Sequence, residues 1–222
     1  NIYNLDKKGK KIKGWKYEKN NNRINKKLQN FRVGNKDYIL AERNNSNTQL
    51  LAINGSERVK FEQGILFNGN PIQIDKQGIL YAITSEGKLW RGTLDGNSTT
   101  SIIPALTANS KLLCAKVIND KVLSDPNSDN LIYSNNNQLY IIDVLEFKKI
   151  KTFTLDSEIT SIKKLEGLLC VSTKNKLHIY NTYGLVDSFP ILSDGYFNIA
   201  DIDNNGKINL INIKNGFIYN YE

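Results

Sequence analysis

The segment from Asp201 to Asn209 combines residue types and a spacing that suit calcium binding. Calcium is held by six to eight oxygen ligands, and a glycine at position 6 of the loop allows the sharp turn. Gly206 is at that position, whereas position 12 is Asn212 and not the bidentate glutamate of an EF-hand. The predicted oxygen donors, at positions 1, 3, 5, 7 and 9, are Asp201, Asp203, Asn205, the backbone carbonyl of Lys207, and Asn209.

A polar hairpin is the alternative for the same residues, because Asp and Asn side chains also cap their own turns. A degenerate echo, Asp125–Asp129, lacks the glycine and is a weaker candidate.

Nothing else in the sequence has the pattern of a catalytic or metal centre. His178 is the only histidine, and strand alternation should point it away from Leu177 and Ile179. Cys114 and Cys170 lie in apolar runs and are predicted to be buried free thiols. We therefore expect no catalytic residues, no cofactor and no enzymatic activity.

The net charge of +8 comes from one end of the chain. Residues 1–27 hold ten basic side chains and two acidic ones, a balance of +8, and the other 195 residues balance at twenty against twenty. The basic stretch at 7–27 could contact a membrane surface or lipopolysaccharide. Lysines that protect an exposed sheet edge are the alternative. No specific nucleic acid recognition is expected.

The elements that carry these residues come from an internal repeat. An apolar strand, a turn rich in Asn or Gly, and a second strand opening with Leu or Ile recur along the chain. The second strands are 48, 39, 50, 38 and 41 residues apart, which is the period of a β-propeller blade. Their first residues are Ile2, Leu50, Leu89, Leu139, Leu177 and Ile218.

Each repeat also has an apolar segment before the strand pair and a charged, alternating strand after it, such as Lys148–Phe153. The sequence thus predicts an all-β fold, a propeller of four-stranded blades. Trp15 and Trp90 are predicted to wedge between blades, with ligand stacking as the alternative.

The predicted organisation is a single propeller portion. Residues 1–27 form the end of a first blade plus a basic loop, 28–192 form four whole blades, and 193–222 form three strands of a last blade. We expect residues outside this chain to complete the ring, because a free strand edge is a liability.

Three stretches carry a family resemblance: Asp6–Trp15, Gly34–Leu40 and Asn70–Gly78. They resemble the C-terminal propeller of uncharacterised cell-envelope proteins from flavobacteria and related Bacteroidetes. The blades are also similar to WD40-like, quinoprotein-type and integrin-like repeats, and integrin-like propellers use calcium loops between the first two strands of a blade. The resemblance implies export to the periplasm or outer membrane. The tryptophan-docking signatures of quinoprotein enzymes are absent, so it implies no cofactor.

The sequence thus favours a non-enzymatic scaffold that binds other envelope proteins, within a larger parent chain or complex. The alternative is a calcium-dependent or glycan- or polyanion-binding module that uses the Asp201–Asn209 loop or the basic 7–27 stretch.

Overall fold

In the computed structural model, the regular secondary structure of the described residues consists of β-strands only. The structure describes residues 2, 4–17, 24, 28–42, 48–61, 64–75, 77–114, 130–143, 149–165, 168–181 and 183–221. The chain divides into two compact units, Asn1–Ala108 and Asn109–Glu222.

The first unit contains two antiparallel sheets of four strands, each a simple meander. Sheet A consists of β1 (Gln29–Val33), β2 (Lys36–Glu42), β3 (Thr48–Leu51) and β4 (Glu57–Lys60). Sheet B consists of β5 (Gln73–Ile74), β6 (Leu80–Ile83), β7 (Leu89–Gly92) and β8 (Ser98–Ser101).

The second unit contains three antiparallel sheets. Sheet C consists of β9 (Lys111–Cys114), β10 (Asn130–Asn135), β11 (Gln138–Asp143) and β12 (Lys149–Thr154). Sheet D consists of β13 (Ile159–Leu165), β14 (Leu168–Thr173), β15 (Lys176–Asn181), β16 (Gly184–Leu185) and β17 (Ile191–Leu192), with β16 and β17 both paired to β15. Sheet E consists of β18 (Phe197–Ala200), β19 (Asn209–Lys214) and β20 (Phe217–Tyr221).

Apolar side chains from neighbouring sheets form the cores. In the first unit, Leu40 and Leu50 of sheet A pack with Leu80 and Trp90 of sheet B. In the second unit, one cluster joins sheets C and D and another joins sheets D and E. Full burial of a Leu, Ile or Phe side chain contributes about 1.5–3 kcal/mol. This inter-sheet packing is therefore the main stabilising term of each unit.

A five-residue turn with glycine at its fourth position recurs in the first unit. The N–H of the first residue donates to the carbonyl of the fifth at 2.8–3.0 Å, and the glycine N–H donates to the carbonyl of the first at 2.8–3.1 Å. The glycines have φ of +75° to +92°, a conformation that other residues adopt only with strain. The turns are Asp6–Lys10, Ala52–Ser56, Asp75–Ile79, Thr84–Lys88 and Thr93–Asn97.

Trp90 lies between sheets A and B, as predicted, and is 1% exposed. Its ring meets Phe61 and Phe67 edge-on, each at a centroid distance of 5.1 Å. Burial this complete leaves no ring face for a ligand. The predicted structural role of Trp90 is therefore confirmed.

We predict that Gly92→Ala destabilises the protein by about 1–3 kcal/mol, the usual cost of overpacking a core. A Cβ at Gly92 would lie 2.7 Å from Cζ2 of Trp90 and 3.0 Å from Cε1 of Phe61. Chemical denaturation measures the loss of unfolding free energy.

The double variant Gly92→Ala/Trp90→Phe is the matched test, because phenylalanine lacks the ring atoms that the new methyl group would meet. Its destabilisation should be less than the sum of the two single changes. Strict additivity would contradict the packing described for Trp90.

Candidate functional site

The Asp201–Asn209 loop connects β18 to β19 and is held by its own side chains. Asp201 Oδ1 accepts the N–H of Asn205 at 3.1 Å, and Oδ2 accepts that of Gly206 at 2.9 Å. Asn205 Oδ1 accepts the N–H of Lys207 at 2.7 Å, and Asn205 Nδ2 donates to Asp203 at 2.8 Å. The loop has the geometry of the capped hairpin that the sequence offered as an alternative.

Asn209 differs from the other predicted ligands in being only 2% exposed. Its Oδ1 accepts the N–H of Ile202 at 3.1 Å and so closes the base of the loop. Within the described residues, no group of three or more His, Cys, Asp or Glu side chains is placed to hold a metal ion. Calcium at this loop stays a prediction, and Asp125–Asp129 lies outside the described residues.

Residues 4–17, the described part of the basic stretch, form a hairpin with an antiparallel bridge between Leu5 and Lys11. Asp6 Oδ1 accepts the N–H groups of Lys8 and Lys10 at 2.8 and 2.9 Å, which holds the turn at the hairpin tip. The remainder of the stretch, 18–27, lies outside the described residues except for Ile24.

Trp15 fixes this hairpin to sheet A. The indole N–H donates to the carbonyl of Ile2 at 3.0 Å, and the N–H of Lys16 donates to the carbonyl of Asn54 at 2.7 Å. A Cβ at Gly55 would lie 2.8 Å from Trp15 Cε2. The tryptophan therefore has a structural role, and the ring is partly covered.

His178 is buried on the face of sheet D that packs against sheet C, opposite to Leu177 and Ile179, as the strand alternation predicted. Its Nε2 lies 3.5 Å from Asp156 Oδ1 and makes no hydrogen bond. Asp156 instead pairs with Lys176 at 2.7 Å. Burial lowers the pKa of His178, and the Asp156 charge offsets only part of that effect.

This arrangement does not resemble a nucleophile–base pair. The Thr173 hydroxyl donates to Asp156 Oδ1 at 3.4 Å and does not donate to His178. Burial raises the pKa of Cys170 to about 11, so its thiol stays protonated at neutral pH. The side chain of Cys114 lies outside the described residues.

A cleft of about 290 Å³ opens on the first unit beside the Thr84–Lys88 turn. Its ionisable lining residues, Glu86 and Lys88, pair with each other at 2.7 Å. Among its described lining residues, the cleft therefore offers no unpaired acid or base to a substrate.

An exposed apolar patch on sheet E was not predicted from the sequence. The N–H of Ile213 donates to the carbonyl of Tyr196, and Ile213 lies opposite Ile218, so the three side chains share one face. Tyr196 and Ile218 are each 71% exposed. Phe217 is 68% exposed but precedes Ile218 in β20 and therefore points to the other face. We call Tyr196, Ile213 and Ile218 the sheet E patch. The apolar run Phe217–Tyr221 is visible in the sequence as a strand of the repeat. Only the pairing of β19 with β20 shows which residues lie beside it.

Comparison with solved structures decides the fold. BamB from Moraxella catarrhalis superposes with a TM-score of 0.59 at 13% identity, covering 90% of this chain and 58% of that one. The Dos1 propeller gives 0.52 at 14% identity, covering 95% and 56%. The chain is a β-propeller portion. The predicted fold class is thereby confirmed.

A further match is BBS1N, solved in complex with ARL6DN, with a TM-score of 0.57 at 10% identity, covering 87% of this chain and 59% of that one. This chain thus spans less than three fifths of each of these structures, and identities this low show the fold alone. No family model and no curated protein matches the sequence.

We predict that stability falls as the pH drops from about 7 towards 5.5, because of His178. Its pKa is lowered in the folded state, so the unfolded chain takes up the proton first. The stabilising contribution is complete above the unfolded pKa of about 6.5 and is lost below it. The slope should not exceed about 1.4 kcal/mol per pH unit, the limit for one proton.

Chemical denaturation across this pH range measures the effect, and His178→Gln is the matched control. No other side chain ordinarily titrates there, since the chain has one histidine. An unchanged slope in His178→Gln would assign the effect to other groups.

The calcium hypothesis predicts a higher thermal midpoint in calcium than in chelator, equivalent to about 2.7 kcal/mol at a hundredfold excess over Kd. Asp201→Asn should abolish the shift, and Asp187→Asn, an exposed aspartate in another turn, should not. Equal midpoints for the original chain in calcium and chelator would leave the loop as a capped turn only.

Proposed function

We propose that this chain is a non-enzymatic, protein-binding platform of an exported bacterial envelope protein. The observation that carries the proposal is the sheet E patch. Tyr196 and Ile218 are each mostly exposed and lie on either side of Ile213 on one face of the sheet. Contiguous exposed apolar surface of this kind marks sites of protein contact.

The platform is stiff where partners would meet it. The patch lies on a sheet whose opposite face is anchored in the core, since Ile199 and Leu210 pack with Leu177 and Ile179 of sheet D. An ordered surface loses little conformational entropy on binding. Tyrosine is also among the residues that dominate binding energy at protein interfaces.

Two considerations support a binding role over catalysis. Among the described residues, His178 and Cys170 are buried and Asp156 pairs with Lys176, so these three are not placed to act on a substrate. One structural neighbour, BBS1N, was solved in complex with another protein, ARL6DN. The step from that complex to this chain is an analogy of fold.

The envelope location is proposed from the resemblance of Asp6–Trp15, Gly34–Leu40 and Asn70–Gly78. Among the described residues, no helix has the length and apolar character needed to span a membrane.

Contact with a polyanion is a second candidate function, and the basic hairpin is the observation that favours it. Five lysines of the hairpin form no ion pair with an acidic side chain among the described residues. They are Lys7, Lys8, Lys10, Lys13 and Lys16.

We predict that the double variant Tyr196→Ser/Ile218→Ser loses a stoichiometric partner that the original chain retains in pull-down from an envelope extract. Tyr183→Ser is the matched control, because Tyr183 is 97% exposed and lies outside the patch. Both variants should keep the original melting temperature, since the substituted side chains are mostly exposed.

Hydrogen exchange on the native polypeptide that contains this chain provides the counter-test. Protection of the Ile218 amide in the isolated polypeptide would mean that the patch packs internally. That result, or equal partner recovery by the patch variant, would contradict the proposal.

A further inference from the structure

The hairpin of residues 4–17 concentrates positive charge. It holds six lysines and one aspartate, a net charge of +5 (six minus one). The single carboxylate, Asp6, accepts two backbone N–H groups of the turn. The hairpin therefore carries five of the eight net positive charges of the chain on fourteen residues.

The hairpin is held in place before any ligand arrives. Trp15 bonds the carbonyl of Ile2, packs against Gly55 and lies in the same apolar cluster as Ala41 and Leu51 of sheet A. The lysines therefore project from a fixed backbone, so binding need not order the hairpin first.

Two exposed aliphatic side chains of the hairpin favour a phospholipid surface over other polyanions. Leu5 is 52% exposed and lies opposite Lys11, and Ile12 is 42% exposed and lies between Lys11 and Lys13 in the sequence. Branched aliphatic side chains among lysines suit the boundary between phospholipid headgroups and acyl chains.

A single-stranded nucleic acid would gain more from an exposed ring on which its bases could stack. The aromatic residues of the hairpin, Trp15 and Tyr17, are partly covered by sheet A, and the Trp15 N–H is already bonded. The hairpin thus provides cations and aliphatic groups, but it does not provide a fully exposed stacking platform.

We propose that the 4–17 hairpin docks onto anionic phospholipid surfaces. The lysines would contact headgroup phosphates. Leu5 shares a face with Lys11, and Ile12 points to the other face, so whichever of the two lies on the docking face would enter the headgroup boundary. This inference rests on the second candidate function, polyanion contact, and narrows it to one class of partner. Each lysine near an anionic membrane surface should strengthen binding roughly fivefold.

Flotation of the 222-residue chain with vesicles tests the inference. Mixed phosphatidylglycerol and phosphatidylcholine vesicles should bind it, and pure phosphatidylcholine vesicles should not. Raising the ionic strength from about 0.05 M to 0.5 M should release the protein, because salt screens exposed charges.

The triple variant Lys7→Gln/Lys8→Gln/Lys10→Gln should weaken vesicle binding roughly a hundredfold, as three fivefold losses. The matched control Lys36→Gln/Lys60→Gln/Lys207→Gln removes the same charge from exposed positions elsewhere. It should change binding by less than about threefold, because screening confines each contribution to the contact region. Equal losses in the two triple variants would contradict the inference.

Leu5→Ser/Ile12→Ser separates a lipid surface from other polyanions. It should weaken vesicle binding roughly tenfold through lost apolar burial and leave heparin binding unchanged. Ile102→Ser is the control, since Ile102 is 81% exposed outside the hairpin. Inorganic phosphate at constant ionic strength should compete little, which separates a lipid surface from a site for free phosphate.

The outcomes distinguish the inference from the function on which it rests. Binding to heparin or an oligonucleotide without binding to anionic vesicles would overturn the lipid inference and keep polyanion contact. Binding to none of the three would overturn both.

Discussion

Burial of the middle strands between neighbouring sheets is the constraint on which the rest of the structure depends. Leu50, Leu139 and Leu177 begin the apolar run of the third strand in their sheets, and each is 0% exposed. Because alternate side chains point to opposite faces, such a strand needs a packed neighbour on both faces. β20 is the exception, because every one of its residues is exposed. Its apolar side chains therefore face solvent.

This constraint also determines where chemistry can occur. Polar and charged groups are displaced to strand ends, turns and outer strands, where the Asp201 loop and the basic hairpin lie. One buried ionisable side chain, His178, has its pKa lowered by burial, and its Nε2 lies 3.5 Å from Asp156. The described residues therefore contain exposed apolar and cationic surfaces and no enclosed cluster of acids and bases.

The sequence predicted the fold well because the repeat is local and periodic. The spacing of the strands from Leu50 to Ile218, the turns between them and the interior position of Trp90 follow from patterns within one repeat. The sites depend on contacts between distant residues. The strand register places Tyr196 and Ile218 on either side of Ile213, and Trp15 packs against Gly55, forty residues further along the chain. No spacing in the sequence indicates these contacts, so the sheet E patch and the anchored hairpin required the structure.

Amide hydrogen exchange, residue by residue, tests the central claim most directly. The account predicts the slowest exchange in the second and third strands of sheets A to D, such as β2, β3, β14 and β15, and faster exchange in their fourth strands. It also predicts that β19 exchanges more slowly than β20. Uniform protection along the chain, or protection that recurs with a helical period, would contradict the account.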